Sequence, residues 1–281
     1  MKIQWYPGHM TRAKRAMEED IKKVDLVIEV LDARIPMSSR NPDIDKLAKG
    51  KFRLVLLNKS DLADESVTKE WGRFFREKGI YSVPLDGRAK TARKAIESAV
   101  TTVCAERIEK QKQRGILNPT IKGMVVGVPN VGKSTIINTL FGKASMKTGN
   151  KPGVTKGNQW LKVSGTLSLL DTPGILWPKF EDEHVGTHLA FIGSVNDDIL
   201  NIPELCFEFI KALNEVYPEA LSSRYGVDRA LASEPLQMME AIGRARNAMK
   251  KGGEVDYLKT ANLVIDDFRA GKTGRITLER P

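Results

Sequence analysis

The stretch Gly127-Val128-Pro129-Asn130-Val131-Gly132-Lys133-Ser134 fits the pattern G-x-x-x-x-G-K-[ST] at every fixed position. Its setting restricts the fold further. Ile121 to Val126 is apolar and β-branched and predicts a strand; Thr135 to Leu140 predicts the start of a helix. Glycines let the backbone curl so that its N–H groups face phosphate oxygens, and the helix N-terminus adds partial positive charge. Asn130, Val131, Gly132, Lys133, Ser134 and Thr135 are the expected phosphate contacts. Lys133 reaches the β- and γ-phosphates, and the Ser134 hydroxyl ligates Mg²⁺.

The rest of the chain supplies a sheet around this loop. Val24 to Leu31, Phe52 to Leu57 and Ile80 to Leu85 read as strands. Helices are expected over Thr11 to Lys23, Asp43 to Ala48, Ser66 to Lys78 and Thr91 to Arg114. Trp160 to Val163 and Thr166 to Leu170 read as a hairpin. Beyond Trp177-Pro178 the pattern is helical: Pro203 to Tyr217, Gly226 to Ala232, Pro235 to Met249 and Asp256 to Ala270, with a last apolar stretch at Arg275 to Leu278. Strands alternating with helices predict an α/β fold, a mostly parallel sheet with helices on both faces, followed by a small all-α domain. Ligands in such sheets bind beyond the carboxyl ends of the strands, where the motifs of this chain fall.

Two further motifs follow strands. Asn58-Lys59-Ser60-Asp61 matches N-K-x-D. A carboxylate accepts two hydrogen bonds side by side, and guanine offers such a pair through N1–H and its exocyclic amine. Adenine does not, so Asp61 selects guanine, and an unpaired buried carboxylate penalises ATP. Asn58 bonds the other edge of the base and ties the loop to its neighbours, and the stem of Lys59 lies over the ring. Asp171-Thr172-Pro173-Gly174 matches D-x-x-G. Asp171 is expected to hold Mg²⁺ through water, the N–H of Gly174 to sense the γ-phosphate, and Thr155 to be the second hydroxyl ligand of the ion.

Together these motifs resemble the translation-factor-related GTPases in a changed order. N-K-x-D at 58–61 precedes the phosphate loop, which precedes Thr155 and D-x-x-G. That order is a circular permutation. With the opening Trp5-Tyr6-Pro7-Gly8-His9-Met10 and the helical tail, nearly the whole chain resembles the bacterial ribosome biogenesis GTPase A family. The resemblance implies a circularly permuted P-loop GTPase domain over 25–195, an N-terminal segment (1–24) packed on it, and a basic helical domain over 196–281. It implies binding of GTP and GDP, and a switch on the assembling large (50S) ribosomal subunit that docks with GTP and leaves on hydrolysis. It also places catalysis. The residue after Gly174 is Ile175, which cannot orient water, and the family implicates the histidine that is His9 here. Asn130 is the family's expected K⁺ ligand. The base-closing motif departs from the family's pattern: Leu85-Asp86-Gly87 stands in its place, leaving backbone N–H groups to meet guanine O6.

Bulk properties agree. Lys and Arg exceed Asp and Glu by ten, which favours a polyanionic partner. From Arg244 onward nine basic residues face five acidic ones, a composition suited to rRNA backbone binding and to ordinary solvated helices alike. The competing reading is a GTP-dependent module for a protein or membrane surface, with incidental turnover. No apolar run is long enough to span a membrane and no secretory leader is evident. Cys104 and Cys206 sit in apolar-periodic segments, as free thiols do in a reducing compartment. A cytoplasmic monomer is expected. His184 and His188, four apart, share a helix face but lack a third metal ligand, so a structural role is expected.

Overall fold

Seven consecutive buried residues, Leu26–Asp32, form the central strand β1. A strand covered on both faces needs apolar side chains in both directions, which explains why this run does not alternate with polar residues. The flanking strands β2 (Phe52–Asn58) and β4 (Ile121–Val126) are both parallel to it. Parallel pairing continues to β3 (Tyr81–Leu85) beyond β2 and to β6 (Leu167–Leu170) beyond β4. The strand β5 (Trp160–Lys162) closes that edge antiparallel to β6, forming the expected hairpin. The order is β3-β2-β1-β4-β6-β5. The computed structural model describes residues 17–141, 160–170 and 183–281.

Alternate residues of the strands serve opposite faces. Leu26, Ile28, Leu54 and Leu56 join one hydrophobic cluster, while Leu31, Val55 and Leu57 join another. The short helix α1 (Ile44–Leu47) and then α2 (Glu65–Glu77) follow the first two strands. Helix α2 covers the second cluster with Val67, Trp71 and Phe75. It starts where Asp64 caps it, accepting from Ser66 N at 2.9 Å. The opposite face is covered by α3 (Ala92–Val103), α4 (Ala105–Gln113) and α5 (Lys133–Phe141).

The tail consists of α6 (Glu183–Phe191), α7 (Ile202–Val216), α8 (Ala220–Tyr225), α9 (Pro235–Ala245) and α10 (Tyr257–Arg269). Phe191, Phe209 and Phe268 stack at its centre, with centroids 5.2 and 4.7 Å apart. They belong to the same cluster as Leu26 and Ile28, so the tail shares its core with the sheet.

Several elements differ from the sequence expectation. The expected helix over Thr91 to Arg114 is broken at Cys104 into α3 and α4. The kink keeps Cys104 and Ile108 in the core that Ile96 and Val100 began. The expected helix over Gly226 to Ala232 is absent. Gly226 instead ends α8 in the left-handed conformation (φ 70°), and a 3₁₀ turn follows at Arg229–Ser233. The helix expected to reach Met249 stops at Ala245, since Asn247 takes φ 53° and Met249 bridges Val255.

Candidate guanine-nucleotide site

Parallel register carries the ends of three strands to one edge. Asp32, Asn58 and Leu85 lie opposite one another at the carboxyl ends of β1, β2 and β3, and β4 runs into the phosphate loop beside them. The glycines of that loop are required by contact. A Cβ on Gly127 falls 2.5 Å from the Val30 carbonyl, and one on Gly132 falls 2.3 Å from Asn58 Nδ2.

Asn58 holds the site together. Its Nδ2 donates to the Val131 carbonyl at 2.7 Å, and its Oδ1 accepts from Gly87 N–H at 2.9 Å. One buried side chain thus joins the phosphate loop to the loop after β3. Thr139 on α5 reinforces this, donating to the Gly87 carbonyl at 2.6 Å. Lys59 has φ 58°, and its Nζ bridges the Asn130 carbonyl at 2.6 Å and Asp32 Oδ2 at 2.9 Å. Its stem therefore spans from the guanine loop to the phosphate loop.

Asp61 is held from one side only. Oδ2 accepts from Arg88 Nη2 at 2.8 Å, while Oδ1 is buried with no hydrogen-bond partner among the described residues. An unpaired buried carboxylate oxygen is costly unless a donor arrives, and the N1–H and amine edge of guanine supplies donors. Arg88 also reaches Asp86 Oδ1 at 3.1 Å. The backbone around the expected base-closing stretch is largely committed. Leu85 O accepts from Ser60 N, Gly87 N donates to Asn58, and Arg88 N donates to Asp86 Oδ1.

On the phosphate side, Lys133 folds back to donate to the Val128 carbonyl, and burial pushes its ammonium down to about 8. Ser134 is exposed in the first turn of α5, with Thr135 half-buried beside it. A hydroxyl at a helix N-terminus next to a lysine suits a phosphate-bound Mg²⁺. Asn130 Nδ2 donates to the Gly193 carbonyl, tying the phosphate loop to the segment after α6. His9, Thr155, Asp171 and Gly174 lie outside the described residues.

The comparisons with known proteins agree with this geometry. A family model described as a 50S ribosome-binding GTPase matches residues 122–219. The chain is 44% identical to ribosome biogenesis GTPase A of Bacillus cereus, over all of this chain and 95% of that one. It is 32% identical to the Thermotoga maritima protein of the same name, over 99% of this chain and 95% of that one. The crystal structure of GNP-bound YlqF from T. maritima superposes with a TM-score of 0.69 at 29% identity, covering 96% of this chain and 98% of that one. The chain belongs to the ribosome biogenesis GTPase A family. It is a circularly permuted P-loop GTPase, as the motif order implied.

Within this member of the GTPase A family, several residues reach the site that motif reading did not single out. Asp32 is fully buried and paired with Arg34 Nη2 at 2.8 Å, and Arg34 and Lys59 together hold its carboxyl far below the carboxylate range against the opposing effect of burial. Arg34 then donates to the carbonyls of Phe268 and Arg269, at 3.1 and 3.4 Å, where α10 ends. Arg269 in turn donates to the Ala190 and Phe191 carbonyls, at 2.8 and 3.0 Å, at the end of α6. Ser194, just beyond, donates to the Pro129 carbonyl at 2.6 Å. A charged Asp-x-Arg at the end of a mostly apolar strand was the signal in the sequence; its Phe268 partner 234 residues away was not visible there. His188 Nδ1 lies 3.0 Å from Glu279 Oε1 and 3.2 Å from Ser38 Oγ. Among the described residues no three or more His, Cys, Asp or Glu side chains cluster as a metal site would need, and no helix is long and apolar enough to cross a membrane.

Proposed function

We propose that this GTPase is a switch in assembly of the large ribosomal subunit. In its GTP form the basic helical domain, residues 196–281, binds rRNA of the precursor; hydrolysis releases it. It works in the cytoplasm as a monomer. Guanine is read by Asp61, with Asn58 and Lys59 shaping the slot and the N–H of Asp86 meeting O6 beside Leu85. The phosphates lie against residues 130–135. Mg²⁺ is held by Ser134, Thr155 and Asp171, Gly174 senses the γ-phosphate, Asn130 ligates K⁺, and His9 orients the attacking water.

The observation that carries the guanine assignment is the unpartnered, buried Oδ1 of Asp61 beside the Asn58 staple. The switch is supported by the bonded chain from Lys59 through Asp32 and Arg34 to the end of α10. A shift at either end is felt at the other only if this chain has two arrangements.

The test is a GTPase assay with and without large subunits, joined to co-sedimentation with GDP or a non-hydrolysable GTP analogue. The expected result is subunit-stimulated turnover and co-sedimentation with the analogue but not with GDP, weakening steeply with salt. Co-sedimentation independent of nucleotide overturns the switch. Turnover indifferent to subunits but raised by a membrane or protein surface favours the competing module.

A further inference from the structure

The last residues of the chain lie along the back of the guanine loop. Arg275 donates through Nε to the Ala63 carbonyl at 3.0 Å and through Nη2 to the Ser60 carbonyl at 3.1 Å. Ile276 N donates to the Leu62 carbonyl at 3.0 Å. The carbonyls of Ser60, Leu62 and Ala63 bracket Asp61, and all three are taken by two consecutive residues of the C-terminus. Thr277 Oγ1 accepts from Asp64 N at 3.1 Å, just before α2 begins.

This strap is itself well anchored. Leu278 N donates to the Arg34 carbonyl at 2.8 Å. The Glu279 carboxylate accepts from the Met37 and Ser38 N–H groups at 2.7 and 3.1 Å, and its carbonyl from Trp71 Nε1 at 3.3 Å. Ile276 and Thr277 are buried. The loop it holds needs holding. Lys59 sits in a left-handed conformation that side-chain-bearing residues rarely adopt, and such geometry persists only when surrounding bonds over-determine it.

We propose that the strap at residues 275–279 sets the guanine loop in its reading geometry, with Arg275 as the positioning residue for Asp61. Arg275 need not touch the nucleotide. It clamps the backbone on both sides of Asp61, so that the carboxylate meets both donors of guanine at once. A bidentate pair tolerates little displacement, and losing register leaves one bond where there were two. The proposal rests on Asp61 being the reader of guanine.

Competition binding with GDP and IDP tests it, because inosine lacks the exocyclic amine. Arg275→Ala is expected to weaken GDP about tenfold, the weight of a charge-assisted hydrogen bond, and IDP by much less, so the GDP-to-IDP preference collapses. Arg275→Lys, which keeps the charge but not the two-carbonyl fork, is expected to fall between. Glu65→Ala removes the ion pair at 3.7 Å from Arg275 and is expected to leave the preference intact. A merely structural loss lowers GDP and IDP together, or lowers thermal stability with the preference unchanged; either result overturns the positioning role. Asp61→Asn separates the two readings. If it leaves the preference intact, Asp61 is not the reader. If it abolishes the preference and Arg275→Ala does not, the strap fails alone.

Discussion

Asn58 Nδ2 lies 2.7 Å from the Val131 carbonyl, so the first residue of the guanine loop is bonded into the phosphate loop. Base recognition and phosphate binding are thereby one structure. Asn58→Ala leaves a buried carbonyl and the Gly87 N–H unsatisfied, and is expected to destabilise the fold by about 1–3 kcal/mol. Asn58→Asp retains the acceptor for Gly87 but turns an oxygen toward the Val131 carbonyl, and is expected to be worse. Denaturant unfolding without nucleotide measures both; stabilities equal to the parent protein would refute the staple.

The buried Asp32–Arg34 pair makes a second prediction. Arg34→Met leaves the buried Asp32 carboxylate with Lys59 as its one cationic partner and removes the contacts with the end of α10, for a loss of up to about 3–5 kcal/mol. Asp32→Asn combined with Arg34→Met recovers part of that loss, because no buried carboxylate remains short of a bidentate partner. Unfolding of the single and double variants forms the cycle that reads the coupling.

Acid sensitivity follows from the same carboxylate. Asp32 is held below its ordinary 3.8 in the folded state, where Arg34 and Lys59 outweigh burial. Its stabilisation is therefore fully present above about pH 4 and is lost as pH falls toward the folded value. Unfolding between pH 5 and 2 is expected to lose stability more steeply in the parent than in Asp32→Asn. Parallel curves count against a depressed carboxyl.

Lys133 titrates in the opposite sense. Burial lowers its ammonium to about 8 in the free protein, and phosphate contact favours the charged form. GDP binding near pH 8 and above is therefore expected to take up protons, up to one per site, and to weaken as pH rises. Calorimetry in two buffers of different ionisation heat counts those protons. No uptake at pH 8.5 contradicts the assignment.

Hydrolysis itself is expected to depend on His9 and on K⁺. His9→Ala should slow turnover strongly with GTP affinity nearly unchanged, the signature of a group acting in the transition state. Replacing K⁺ by Na⁺ should slow the parent protein, and Asn130→Ala should remove the difference. Equal turnover in both salts removes Asn130 from catalysis, and equal loss of affinity and turnover removes His9.

Much of this was legible along the chain because the information is local. The β4-to-α5 turn needs small residues at Gly127 and Gly132, a lysine at 133 and a hydroxyl at 134, all within eight positions. The apolar runs of β1 and β2, interrupted by Glu29 and Arg53, announced a sheet buried on both faces. Less legible were the break at Cys104 and the stop at Gly226. At the first a helix pattern continued in sequence while core packing bent it; at the second the sequence put a loop before Gly226 and a helix after it, whereas the left-handed Gly226 ends a helix.

Motif order is a property of the chain, so the phosphate loop, the guanine motif and their permuted order could be read from the residues alone. Which distant residues brace that site became visible in the folded chain. Arg275 clamps the carbonyls beside Asp61, and Arg34 fastens Asp32 to the end of α10. Those bonds join a guanidinium to a backbone carbonyl more than 200 residues away. A carbonyl carries no residue-type signature, so only folding reveals which guanidinium it meets.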